Sequence, residues 1–257
     1  MTRFFVMTRG RTGSTAIIDE LNNVKTVMAA QELFIKHEFK GLKNRIEQNL
    51  PLPAMVPFHF WKTNSSWWKK TLRRFLDGQK LVYEYLKQIE SIAQCKGAAA
   101  FGFKLLSHHF NQTPFLKECL IDQGYRVIYL TRSIPRQVIS GMIAKQRGVY
   151  NRRNYKDVDR YRIDVDEFEK SVQEETKAVQ DDLAFIKNGC FDFIQVSYED
   201  FIADRLVFFA RVLDFLGVVS EIPEVSDYSV MIKDLHYTIE NIDAVLERIA
   251  SMGMTIE

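Results

Sequence analysis

Four short runs rich in β-branched and aromatic residues stand out along the chain: residues 3–8 (RFFVMT), 101–106 (FGFKLL), 126–131 (RVIYLT) and 191–197 (FDFIQVS). Apolar runs of this length read as strands buried on both faces. Elsewhere the period lengthens. Phe168, Val172, Val179, Leu183 and Ile186 fall near one face of a helix, as do Leu206, Phe209, Val212, Leu213 and Leu216 ahead of Gly217, a helix-stop residue. Strands alternating with helices predict an α/β fold of three layers, a central parallel sheet with helices on both faces.

The stretch 48–57 (QNLPLPAMVP) holds three of the six prolines and reads as an irregular connection into a helical stretch over 65–96. Together, 48–96 is expected to be a helical insertion within one domain spanning 1–257. Residues 146–162 are polar, basic and tyrosine-rich without a clean period, which predicts a surface loop.

The first strand runs directly into Arg9-Gly10-Arg11-Thr12-Gly13-Ser14-Thr15 and then a helix carrying Ile17, Ile18 and Leu21. A strand, a glycine-bearing turn and a helix start present backbone N–H groups and the positive end of a helix dipole to an anion, most simply a phosphate. Against the ATPase pattern GxxxxGK[ST], the window 8–15 lacks the first glycine and has Ser14 where the lysine belongs. The cation inside the loop is Arg11, placed to reach the bridging oxygen of a transferring group.

A second anchor follows the strand at 126–131. Arg132 stands at a carboxyl edge of the sheet, where open α/β folds bind ligands, and Pro135 suits the first turn of a helix carrying Val138, Ser140 and Ile143. A guanidinium offers a fork to two anion oxygens and a hydroxyl can donate to a third.

Gly10-Arg11-Thr12-Gly13-Ser14-Thr15 resembles the 5′-phosphosulfate loop of the sulfotransferase family, bacterial and carbohydrate type, and Arg132 with Ser140 eight positions later resembles its 3′-phosphate motif. Residues 196–201 (VSYEDF) and 212–218 (VLDFLGV) resemble that family's Tyr-Glu-Asp segment and the helix ending in Phe-Leu-Gly, mostly packing positions. The resemblance implies a P-loop-like fold and sulfuryl transfer from 3′-phosphoadenosine-5′-phosphosulfate (PAPS), leaving 3′-phosphoadenosine 5′-phosphate (PAP). It implies Arg9 to Thr15, Arg132 and Ser140 as the donor-binding residues and Arg11 as a catalytic one.

In-line sulfuryl transfer needs positioning and relief of charge on the leaving phosphate, which Arg11 and loop amides can supply without a metal ion. The acceptor must also lose a proton. Glu32, after the first helix, stands where some family members carry a glutamate base, and it would need its pKa raised by burial to serve well. The rival is His108 or His109 after the strand at 101–106 that carries Lys104, at a spacing one or two residues off the histidine pattern of the cytosolic type. That type also closes over the nucleotide with a glycine-rich Arg-Lys-Gly segment, for which Arg147, Arg152 and Arg153 are substitutes here.

Lys plus Arg number 35 against 33 acids, so the net charge of +2 draws the chain neither to nucleic acid nor to anionic lipid. Cys95, Cys119 and Cys190 are odd in number and far apart, which argues for a reducing, cytoplasmic setting rather than a disulfide framework or zinc site. No apolar run approaches the roughly 18 residues a membrane span requires. Trp61, Trp67 and Trp68 lie where an insertion would wall an acceptor site for a small molecule or carbohydrate. Two other functions fit parts of the pattern, a P-loop small-molecule kinase and a nucleotide-binding protein without catalysis.

Overall fold

The computed structural model describes residues 1–36, 55–63, 77–148, 159–219, 223–226 and 234–256. Five strands form one sheet: β1 (Thr2–Thr8), β2 (Val27–Ala30), β3 (Ala100–Leu106), β4 (Arg126–Thr131) and β5 (Phe193–Ser197). Their order is β2-β3-β1-β4-β5 and every pairing is parallel. The longer helices are α1 (Ser14–Leu21), α2 (Gly78–Cys95), α3 (Ile134–Arg147), α4 (Val165–Asn188), α5 (Arg205–Leu216) and α6 (Ile242–Ser251). Together they make the expected α/β architecture.

The strand period of two divides β1 between two cores. Phe5 and Met7 join a cluster with Phe101, Phe103, Tyr129 and the α2 residues Tyr85 and Leu86. Phe4 and Val6 join Ile17 and Ile18 of α1 and Phe209 and Leu213 of α5 on the other face. A third cluster links α3, α4 and α6 through Ile139, Ile143, Phe168, Val172, Val245 and Ile249. Asp77, Asp164 and Asp204 cap α2, α4 and α5 by accepting backbone N–H groups, and Gly217, at φ 67°, ends α5 where a side chain would be strained.

Several expectations shift in detail. β2 has only four residues, too few to show a period. β5 begins at Phe193, so Phe191 and Asp192 precede it. Leu206 is exposed and Phe208 takes the inward place on α5, because the buried face is set by Phe208, Phe209 and Val212 against the sheet. Gln146 and Arg147 belong to the last turn of α3 rather than to a loop. Of the 65–96 stretch, the helix occupies Gly78–Cys95, and the rest before Asp77 lies outside the described residues, as do Trp67, Trp68, Arg152 and Arg153. Trp61 is a packing residue: its ring lies 5.4 Å from Tyr85 and its Nε1 donates to Gln88 at 2.8 Å. Among the described residues no helix is long and apolar enough to cross a membrane.

β3 lies against β1 at Gly102, paired in register with Phe4. A Cβ there would stand 2.5 Å from both the Phe4 carbonyl oxygen and its ring. Gly102→Ala is therefore expected to destabilise the chain by about 2–3 kcal/mol through overpacking at the sheet centre, read as a lowered denaturant midpoint with unchanged m-value.

Candidate active site

The central place of β1 puts the loop that follows it between the carboxyl ends of β3 and β4. The loop is tied shut from within. Thr8 and Thr12 share a hydrogen bond of 2.6 Å between their hydroxyls, and the Thr8 hydroxyl also lies 3.0 Å from the Leu130 carbonyl, so the buried Thr12 side chain faces the fold. Arg11 sits at φ 68° and Gly13 at φ 72°, two left-handed residues in a three-residue span. Holding a non-glycine residue there costs roughly 1–3 kcal/mol, which the surrounding contacts must offset. No side chain caps α1. Its first N–H groups are available to an anion.

Arg132, at the end of β4, donates from Nη1 to the Arg11 carbonyl at 2.9 Å. Its guanidinium lies 4.7 Å from the centre of the Tyr198 ring. Among the described residues Arg132 makes no ion pair, although the Glu199 carboxylate lies close enough to act on its charge; its Nε is buried without a hydrogen-bond partner, and burial pushes its pKa below the ordinary value. Arg11 turns to the same place: its Nε and Nη2 each lie 3.2 Å from Ser140 Oγ on α3. Thus Arg11, Arg132 and Ser140, far apart in sequence, converge beside the start of α1. Arg9 does not join them. It turns away to α4, 2.6 Å from Glu175 and 3.6 Å from Asp182, which also accepts a hydrogen bond from Ser107 at 2.7 Å.

A second group of charges lies at the ends of β2 and β3. Lys104 Nζ is 2.7 Å from Glu32 Oε1 and 3.4 Å from Thr15 Oγ1, and the Gln31 side-chain amide donates to the Thr15 carbonyl. Burial drives the Glu32 carboxyl upward, but the Lys104 ammonium overrides it, leaving the pKa below its ordinary value rather than raised. His109 is fully buried. Its Nδ1 accepts the Leu106 N–H at 3.3 Å, which places the neutral ring's proton on Nε2, 3.8 Å from Glu32 Oε2. Burial holds its pKa at about 4. His108 is exposed and lines a cavity of about 740 Å³ with Gly10, Arg11, Ser107, Gln137 and Glu175.

Tyr198 has a larger part in the site than its packing role in the motif implied. A Cβ on Gly13 would stand 2.2 Å from the Tyr198 ring, so the loop glycine is required for that ring to lie against Arg132. Tyr198 follows β5, which pairs with β4, the strand that ends one residue before Arg132. Among the described residues no group of three or more His, Cys, Asp or Glu side chains is placed to hold a metal ion.

A family model described as the sulfotransferase family matches residues 3–221. No curated protein matches the chain. Among solved structures, the chain is similar to a sulfotransferase from Alicyclobacillus acidocaldarius, with 13% identity over 100% of this chain and 97% of that one at a TM-score of 0.45. It is also similar to the sulfotransferase domain of the Synechococcus PCC 7002 olefin synthase, with 16% identity over 100% and 96% of the two chains at 0.49. A retinol dehydratase in complex with retinol and PAP aligns at 15% identity over 85% and 61%, with a TM-score of 0.38.

The buried neutral His109 makes stability depend on pH. The unfolded chain takes up a proton there below pH about 6.5 and the folded chain only near about 4, so stability falls as pH drops through that window. Between pH 7 and 5 the wild type is expected to lose about 2 kcal/mol more than His109→Asn in denaturant titrations. Equal losses would mean that His109 is protonated in the folded chain.

Proposed function

This chain belongs to the sulfotransferase family, and we propose that it transfers a sulfuryl group from PAPS to a hydroxyl or amine of a small-molecule or carbohydrate acceptor. The observation that carries the reading is the convergence of Arg11, Arg132 and Ser140 beside the uncapped start of α1, with Arg132 Nε buried and unpartnered. A partly buried guanidinium outside any ion pair among the described residues suits an anionic ligand, and two anion sites side by side suit a nucleotide phosphorylated at both 5′ and 3′ positions.

When bound, the donor supplies the sulfuryl group: the acceptor's lone pair forms the new bond to sulfur while the sulfur–oxygen bond to the 5′-phosphate breaks, its electron pair remaining on the phosphate. The N–H groups at the start of α1 and the Arg11 guanidinium offset that phosphate's charge. Arg132 and Ser140 hold the 3′-phosphate, and Tyr198 keeps the guanidinium oriented. Gly10, Thr12, Ser14 and Thr15 shape the loop, with Thr12 closing it and Arg9 bracing it against α4. Glu32 takes the acceptor's proton, and His108, whose charge acts on that carboxylate, stands on the wall of an adjoining cavity. Magnesium has no assigned role, and the three free cysteines suit a cytoplasmic enzyme.

The clamp has a selective test. Arg132→Ala should weaken PAP binding by about 100-fold but adenosine 5′-phosphosulfate binding by less than about 3-fold, because only PAP carries the 3′-phosphate. Equal losses in parallel calorimetric titrations would remove Arg132 from the 3′-phosphate site.

A further inference from the structure

Lys104 stands between two groups that the proposed reaction uses in succession. It lies on β3, between β2, whose end leads to Glu32, and β1, whose end leads to the phosphate loop. Its ammonium reaches both neighbours, at 2.7 Å from Glu32 Oε1 and 3.4 Å from Thr15 Oγ1, and the residue is only 5% exposed. An ammonium so withdrawn from water needs a counter-charge. That counter-charge is Glu32, and the pairing lowers the basicity of the carboxylate that must accept the acceptor's proton. An anion on the loop would bring a second counter-charge to the Thr15 side of the same ammonium.

We propose that Lys104 is a positioning residue that keeps the Glu32 base out of use until a donor anion occupies the phosphate loop, then turns to that anion and releases the carboxylate. The inference rests on the sulfuryl-transfer reading and adds to it an order of events: donor first, proton abstraction second. His109 completes the arrangement, because its Nε2–H faces the other carboxylate oxygen, Oε2, without adding net charge. Among the described residues the other ionisable group acting on Glu32 is the exposed His108, whose charge adds to that of Lys104, while Gln31 and Thr15 contribute none. With the ammonium engaged by a donor, burial is left as the main influence on Glu32, and its pKa rises toward the range of a useful base.

Proton uptake on PAP binding tests this without turnover. Calorimetric titrations at pH about 5.5, in buffers of different ionisation enthalpy, give the protons bound per PAP. The wild type should take up about half a proton more than Glu32→Gln, since the nucleotide's own phosphates contribute to both. Lys104→Arg should keep that excess, whereas Lys104→Met should abolish it because burial has already given its Glu32 that share of a proton before PAP arrives. Equal uptake by wild type and Glu32→Gln would overturn the gate while leaving the donor assignment standing; this comparison does not depend on how well a Lys104 variant folds. No heat with PAP at all would remove the donor reading and the gate with it.

Discussion

The guanidinium of Arg132 is withdrawn from water without an ion pair among the described residues, and much of the site is arranged around that fact. Its partners are the Arg11 carbonyl and the face of Tyr198, which orient it without neutralising it. The ring can approach only because position 13 is glycine, and the loop can present Arg11 only because its backbone is held at positive φ. Each of these costs stability. A site kept in that condition is preorganised for an anion.

Topology makes the arrangement possible. In a parallel sheet every strand delivers its following residue to the same edge, and β1, at the centre, has neighbours that deliver a cation on each side: Lys104 from β3 and Arg132 beyond β4. The two cations differ in their partners. Lys104 is paired with Glu32, so the base side is internally neutral, while Arg132 makes no ion pair among the described residues and feels the Glu199 charge only at a distance. That division matches a reaction in which one side holds a permanent anion and the other must exchange a proton.

The fold was largely legible because buried strands announce themselves by apolar runs and helices by their stops. β4 was read at its full span, and α5 ended at Gly217 as expected. β2 escaped because four residues, two of them alanine, carry no period. Local motifs gave the strand-loop-helix unit and the Arg132–Ser140 spacing, since both depend on residues near each other in sequence. Side-chain direction was not legible. Arg9 and Arg11 are two residues apart in one basic loop, yet the first turns to Glu175 and the second to Ser140, a choice made by partners more than 120 positions away. The state of Glu32 was likewise beyond sequence reading, because burial alone would raise its pKa and only contact with Lys104 reverses the sign.

The central claim is that the two anion sites belong to a nucleotide carrying a 3′-phosphate. Calorimetric titration of the purified chain with PAP, run beside ATP with magnesium, tests it most directly. The account predicts saturable binding of PAP and no heat from ATP with magnesium beyond dilution. Binding of ATP with PAP silent would contradict it and make the loop that of a kinase.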